Sequence, residues 1–274
     1  MRPSESPERR RQRRTGIPEG RGLLSVLLLT AFLISLFSVP WGSQIVHPGG
    51  LSALREFGAA LISPEFSPTF LGTVARASWQ TVTFAVAGVT IALFIGVPLG
   101  VLGSGVLVRG PAARRTTIVT VRFILGFLRS IHELVWAWLL VAAIGLSPMA
   151  AIVALGLNYG GILGRIYAEL ITDVPEEPLR ALRASGASEV KIFLYGRLPM
   201  ALPDIVSYTF YRLECGIRSA AIMSFVGIAG LGFQLQLSLA DLHYDEVWTL
   251  LFALVALVAA VDWWSSSVRA RLTT

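Results

Sequence analysis

The sequence predicts an all-α integral membrane protein with six transmembrane helices and both termini on the cytoplasmic side. Three observations predict it. Hydrophobic residues make up 54% of the 274 and charged residues only 15%, with a mean hydropathy of +0.67, which places most of the chain in lipid. Six apolar stretches are each long enough to cross a hydrocarbon core of about 30 Å at about 1.5 Å per residue. The arginines collect in alternate connecting segments, so one side of the membrane is basic.

Residues 1–22 form a basic tail with Arg9, Arg10, Arg11, Arg13, Arg14 and Arg21, and supply much of the net charge of +6. No aromatic residues or folded module accompany this run, so it reads as a cytoplasmic tail that meets anionic lipid and not nucleic acid. Leu23 to Trp41 is the first span. It has the apolar core of a signal peptide but no small-x-small cleavage site after it, so the sequence predicts a retained helix. Residues 42–78 are mixed and extracytoplasmic, with Pro48-Gly49-Gly50, Pro64 and Pro68, and Leu51 to Ile62 forms a short amphipathic helix on the outer face. The second span is 79–108, where Gly88, Gly96, Gly100, Gly103 and Gly105 predict close helix packing.

Arg109, Arg114, Arg115 and Arg122 make a basic loop before a third span at 123–145, which carries Arg129, His132 and Glu133. A turn at Gly145 to Pro148 leads to the fourth span, 149–168. The fifth span, 204–231, contains Arg212, Glu214 and Arg218. A polar connection at 233–246 carries Asp241, Asp245 and Glu246 without Lys or Arg. The sixth span, 247–264, ends before Arg269 and Arg271.

Between the fourth and fifth spans lies the longest polar interruption, 172–203. It reads as two short helices hinged at Gly186. Pro175 suits a first helical turn, Thr172 or Asp173 can cap it, and Glu176 and Glu177 sit at its positive end. Ser185-Gly186-Ala187 is the reversal, Ser188 caps the second helix, and Pro199 and Pro203 close it. Val190, Phe193, Leu194 and Leu198 share one face of that helix. Such an elbow, on the cytoplasmic side, suits docking to a partner.

Catalytic signatures are missing. The only lysine, Lys191, lies between Val190 and Ile192, so no Gly-Lys-Ser/Thr phosphate loop exists. There is no HExxH and no GxSxG, and His47, His132 and His243 lack metal-ligand spacing. Cys215 stands alone in an apolar region, which excludes a disulfide within the chain.

The charges inside spans need an explanation, because one at the bilayer centre costs from ~3 to over 10 kcal/mol unless paired or wetted. Arg129 with Glu133, and Glu214 with Arg218, are spaced i, i+4; Arg212 points elsewhere. Two readings stand: structural ion pairs, or a translocation path whose guanidinium groups meet an anion through paired hydrogen bonds. Gly227, Gly230 and Gly232 are either a packing seam at the end of the fifth span or a flexible gate.

Pro175, Ala181, Gly186, Leu198 and Pro199 resemble the cytoplasmic EAA loop of the permease subunits of bacterial ABC importers, and Gly186-Ala187-Ser188 followed by Leu198-Pro199 keeps the loop's spacing. Arg180 stands where that family has its glutamate, so Glu176 or Glu177 takes over its part or the docking detail differs. The stretch with Ser207, Tyr208, Tyr211, Arg212, Glu214, Arg218, Gly227 and Gly230 is similar to the fifth helix of phosphonate ABC permeases, apart from Cys215-Gly216. RSIHELVWAWLL, from Arg129, and the ending with Asp262 resemble the same subfamily, so the likeness runs from about Arg122 to Leu272.

The resemblance implies a type I ABC importer permease-like fold, a permease core at 79–272, and a place in the bacterial cytoplasmic membrane. Ala181, Ser185, Gly186, Ala187, Ser188, Leu198 and Pro199 would form the coupling loop. It implies a pair of ABC ATPase subunits, which hold ATP and Mg, a second permease, identical or paralogous, and an extracytoplasmic substrate-binding protein. No cofactor is expected in this chain. The implied cargo is a phosphonate, phosphite or phosphate; an ABC permease for another solute such as an amino acid, and an ATP-independent secondary transporter, are the alternatives.

Overall fold

The structure, a computed structural model, describes residues 19–39, 41 and 49–272. The expected basic tail with Arg9 to Arg14, and residues 42–48 with His47 and Pro48, lie outside the described residues. The chain forms two units, one up to Arg55 and one from Glu56. In the first, helix α1 (Glu19–Ser38) exposes Leu23, Leu27 and Phe37. This suits a helix surrounded by lipid, where apolar side chains incur no hydration penalty. The Trp41 indole N–H donates to the Leu36 carbonyl at 2.7 Å and satisfies an orphan acceptor of its last turn. Helix α2 (Gly50–Ala60) begins in this unit and ends in the second.

The second unit is helical, with no strand among the described residues. It contains α3 (Pro68–Ser104), α4 (Pro111–Ser130), α5 (Glu133–Ile144), α6 (Pro148–Thr172), α7 (Glu176–Ala184), α8 (Glu189–Ile192), α9 (Leu198–Met223), α10 (Leu231–Ala240) and α11 (Tyr244–Leu272). Proline opens α3, α4 and α6, where its missing N–H has no helical partner to lose. The most extensive packing is α3 on α6. Glycines on both helices let the backbones approach: a Cβ at Gly88 would lie 2.6 Å from Leu155 and one at Gly156 2.5 Å from Ile91. The main core continues from this seam through Leu155, Leu163 and Tyr167 of α6 to Ile217, Ala220 and Met223 of α9.

Three described helices are long and apolar enough to cross a membrane: α3, α6 and α11 over Tyr244–Arg271. Two bent pairs raise this to five: α4 with α5, bent by 84°, and the 189–226 run with α10, bent by 45°. Several expectations are corrected here. The third span is not one helix over 123–145. It breaks between Ser130 and Glu133, and α4 begins at Pro111, so Arg114, Arg115 and Arg122 ride on a helix and not a loop. The second span starts eleven residues early, at Pro68 instead of Trp79, because a proline opens a helix as well as it ends one. The 233–246 connection is largely helical, as α10 occupies Leu231–Ala240. Pro199 and Pro203 do not close the elbow. The chain passes from α8 through a single π turn, Phe193–Arg197, into α9, and Pro203, six residues into that helix, removes only one ladder bond.

Candidate functional site

The elbow is built on a Gly186 turn. Gly186 has φ of +81°, its N–H donates to the Arg183 carbonyl, and the Ala187 N–H donates to the Leu182 carbonyl, which closes α7 with the paired bonds of a Schellman motif. The predicted hinge is therefore present. The expected side-chain caps are absent: Thr172 donates back to Ala168 and Glu169, and Ser188 takes the capping position of α8 with no side-chain bond. One face of α7 is anchored. Leu179 is fully buried with Ile192 and Phe193, and Gly196 leaves room for it, since a Cβ there would lie 2.8 Å from both Leu179 and Leu182. Val190, Leu194 and Tyr195 are exposed, while Phe193 is buried, so the predicted apolar face divides in two. Ala181, Ser185, Gly186, Ser188 and Pro199 are exposed, and Ala187 and Leu198 are half-buried against the elbow core.

Charges knit the elbow together. Buried Arg197 donates to the Ile171 carbonyl at 3.1 Å, in the last turn of α6, and to Glu176 Oε1 at 2.6 Å, in the first turn of α7. Arg183 reaches Glu189 at 3.1 Å and Glu176 at 3.9 Å. The hydrogen bond from Arg183 holds the Glu189 carboxyl below the usual carboxylate range, and the same bond raises the Arg183 guanidinium. Glu176 thus faces inward to Arg197, while Glu177 and Arg180 are exposed and form no ion pair among the described residues.

A second polar system runs through the helices. The bend between α4 and α5 leaves the Ile131 carbonyl without a helical partner, and Asn158 of α6 donates to it at 2.7 Å. His132 caps α5, its Nδ1 accepting from the Leu134 N–H. Glu133 accepts from Ser219 Oγ of α9 at 2.7 Å, and Ser219 shares a 3.0 Å hydrogen bond with Tyr159. The expected Arg129–Glu133 pair on one helix face is not formed. The 84° bend puts these residues on different helices, and Arg129 lies exposed at the end of α4. Glu214 and Arg218 do pair, at 2.9 Å, with Glu214 largely buried.

Arg212 is placed differently. Its guanidinium donates to the Tyr208 hydroxyl at 3.3 and 3.2 Å. Its Cζ lies 5.2, 5.6 and 5.8 Å from the ring centroids of Tyr159, Tyr208 and Tyr211. Cation–π contacts offset about 0.5–2 kcal/mol each. This helps to hold the charge where no carboxylate among the described residues pairs with it. The candidate gate is a break in the helix. A short 3-10 turn, Ser224–Val226, ends α9, Gly227 has φ of +91°, and Gly230 has φ of +152°. Thr81 Oγ1 of α3 accepts from the Leu231 N–H at 3.0 Å and pins the start of α10. A Cβ at Gly232 would lie 1.9 Å from the Ala221 carbonyl oxygen, so this glycine is required by packing. Sequence reasoning missed Asn158, Tyr159, Arg197 and Ser219; polar residues inside apolar helices were the available signal.

Residues 96–274 match the family described as binding-protein-dependent transport system inner membrane component. The phosphite transport system permease protein PtxC of Stutzerimonas stutzeri is 31% identical over 225 residues, covering 80% of this chain and 78% of that protein. The phosphate-import permease protein PhnE of Mycolicibacterium smegmatis is 27% identical over 69% of this chain and 35% of its own. Among solved structures, a chain of the MetNI methionine ABC transporter in inward-facing conformations superimposes with a TM-score of 0.67 at 24% identity, covering 76% of this chain and all of that one.

Proposed function

The chain belongs to the family of binding-protein-dependent transport system inner membrane components, and from that premise we propose that it is the permease through which an ABC importer passes a phosphorus oxyanion such as phosphite, phosphate or a phosphonate. The observation that carries the coupling half of this reading is the elbow, which Arg197 ties at once to the end of α6, the start of α7 and the start of α9. A force on α7 is thereby delivered to two membrane helices. In this reading the exposed face of the elbow, with Gly186, Val190 and Leu194, meets a separate ATPase subunit that holds ATP and Mg. A substrate-binding protein presents cargo on the opposite side, and a second permease, identical or paralogous, completes the path. The cargo half rests on the phosphite and phosphate permeases among the relatives.

The test is reconstitution of the chain with an ABC ATPase and a substrate-binding protein from the same organism, followed by phosphite uptake. ATP-dependent uptake that needs both partners is expected. Uptake by the isolated chain, abolished by a protonophore, would overturn the ABC reading. Uptake of an amino acid with no phosphorus oxyanion moved would overturn the cargo.

A further inference from the structure

We propose that Arg212, boxed by Tyr159, Tyr208 and Tyr211, is the point inside the membrane domain at which the passing oxyanion is held. The inference rests on the phosphorus-oxyanion cargo proposed above. Three arginines lie at the candidate path, and the structure separates them. Arg218 is paired with Glu214 at 2.9 Å. Arg129 sits exposed at the end of α4 and forms no ion pair with Glu133 among the described residues. Arg212 alone of the three is half-buried and held by rings, with the Tyr208 hydroxyl as its hydrogen-bond acceptor.

The chemistry favours an anion. A guanidinium carries five N–H donors in a fixed plane, and the Tyr208 hydroxyl takes only its Nε and one Nη. Ring faces stabilise the charge but accept no strong hydrogen bond, so donors remain for a tetrahedral oxyanion. Tyr208 and Tyr211 also line a groove of about 420 Å³ with Ser207, Asp204 and Arg269. That volume falls within the roughly 300–1,000 Å³ of small-molecule sites. Two of the three rings that hold Arg212 thus also face the groove, where a cargo ion would exchange water for the Ser207, Tyr208 and Tyr211 hydroxyls, with Arg269 offsetting the Asp204 carboxylate in the same lining. Binding there is expected to be weak enough for release, because one guanidinium faces the ion.

The experiment uses the assembled transporter with its ATPase and binding protein in proteoliposomes, with phosphite as the probe. Arg212→Gln is expected to lower phosphite uptake by about tenfold or more, the size associated with losing a charge-assisted hydrogen-bonded contact. The yield of assembled complex stays near wild type and is the control for folding. Unchanged uptake in Arg212→Gln overturns the proposal. If that variant does not assemble, Arg212→Lys decides. It keeps the charge but loses the planar fork, so a raised half-saturating load of phosphite-bound binding protein for uptake, at normal yield of complex, supports the site, and wild-type kinetics overturn it. A wild-type transporter that moves no phosphorus oxyanion overturns the cargo reading itself, and is recognised before any variant is compared.

Discussion

Arg197 and Glu176 meet at 2.6 Å although they are separated by 21 residues, and the same guanidinium also holds the Ile171 carbonyl. One buried side chain therefore fastens the elbow to the membrane helix before it and the membrane helix after it. Replacing Arg197 with Met leaves a buried carbonyl without its donor and loosens Glu176. We expect a cost of about 1–3 kcal/mol, the range for an unsatisfied buried partner. We also expect ATP hydrolysis to continue with less phosphite moved per ATP, since the strut and not the motor is lost. Parallel ATPase and uptake assays check the ratio; an unchanged ratio argues that Arg197 only stabilises.

Gly186 gives a cleaner separation of folding from coupling. Its φ of +81° disfavours any residue with a Cβ, yet a Cβ there meets nothing within 4 Å. Gly186→Val should cost about 1–2 kcal/mol from backbone strain alone and distort the α7–α8 reversal. Membrane insertion and yield should be normal, with uptake uncoupled from hydrolysis. Normal coupled uptake would count against a docking role for the turn.

Gly232 and Gly126 make an opposed pair. A Cβ at Gly232 would lie 1.9 Å from the Ala221 carbonyl, whereas one at Gly126 has nothing within 4 Å. Gly232→Ala should lower the melting temperature in detergent by several degrees, while Gly126→Ala should leave it unchanged or raise it slightly, through helix propensity. Equal melting temperatures would show that α10 yields freely.

Asn158→Leu should remove the donor that satisfies the Ile131 carbonyl at the α4–α5 bend. An orphaned carbonyl costs about 1–3 kcal/mol when buried. The expected outcome is a lower melting temperature together with reduced uptake, because Glu133 and Ser219 hold the same bend. Thermal unfolding followed by tryptophan fluorescence measures it.

The elbow has an acid limit. The Glu189 carboxyl titrates below its ordinary range because Arg183 donates to it. A carboxyl with a depressed folded-state pKa stabilises above its unfolded value of about 4.3, and the contribution is lost as pH falls through the lower folded value. Spin labels at Ala184 and Val190 should report a distance distribution that broadens only below about pH 4. Glu189→Gln should be broader at neutral pH and show no acid step.

The hinge was legible because its cause is local: Ser-Gly-Ala after a charged run is turn chemistry wherever it occurs. The spans were legible as apolar runs, but their ends were not, since Pro68 and Pro111 open helices that hydropathy alone assigns to connections. The bend at Ile131 was hidden for a different reason. The groups that hold it, Asn158 and Ser219, lie 27 residues from Ile131 and 86 from Glu133, so only tertiary contact determines it. The i, i+4 reading of Arg129 and Glu133 assumed an unbroken helix, and the break removed its basis. Glu214 and Arg218 lie on a continuous helix, and there the same rule held.

The glycine seam between α3 and α6 has a mechanical consequence. With Gly96 and Gly164 backbone to backbone, and Gly100 against Tyr167, neither helix has side-chain slack to slide along the other. The two are expected to tilt together as a single plank. Any change of shape that accompanies turnover is then expected at the breaks in neighbouring helices, the Ile131 bend and the Gly227–Gly230 break, each tied down by only one or two side-chain hydrogen bonds.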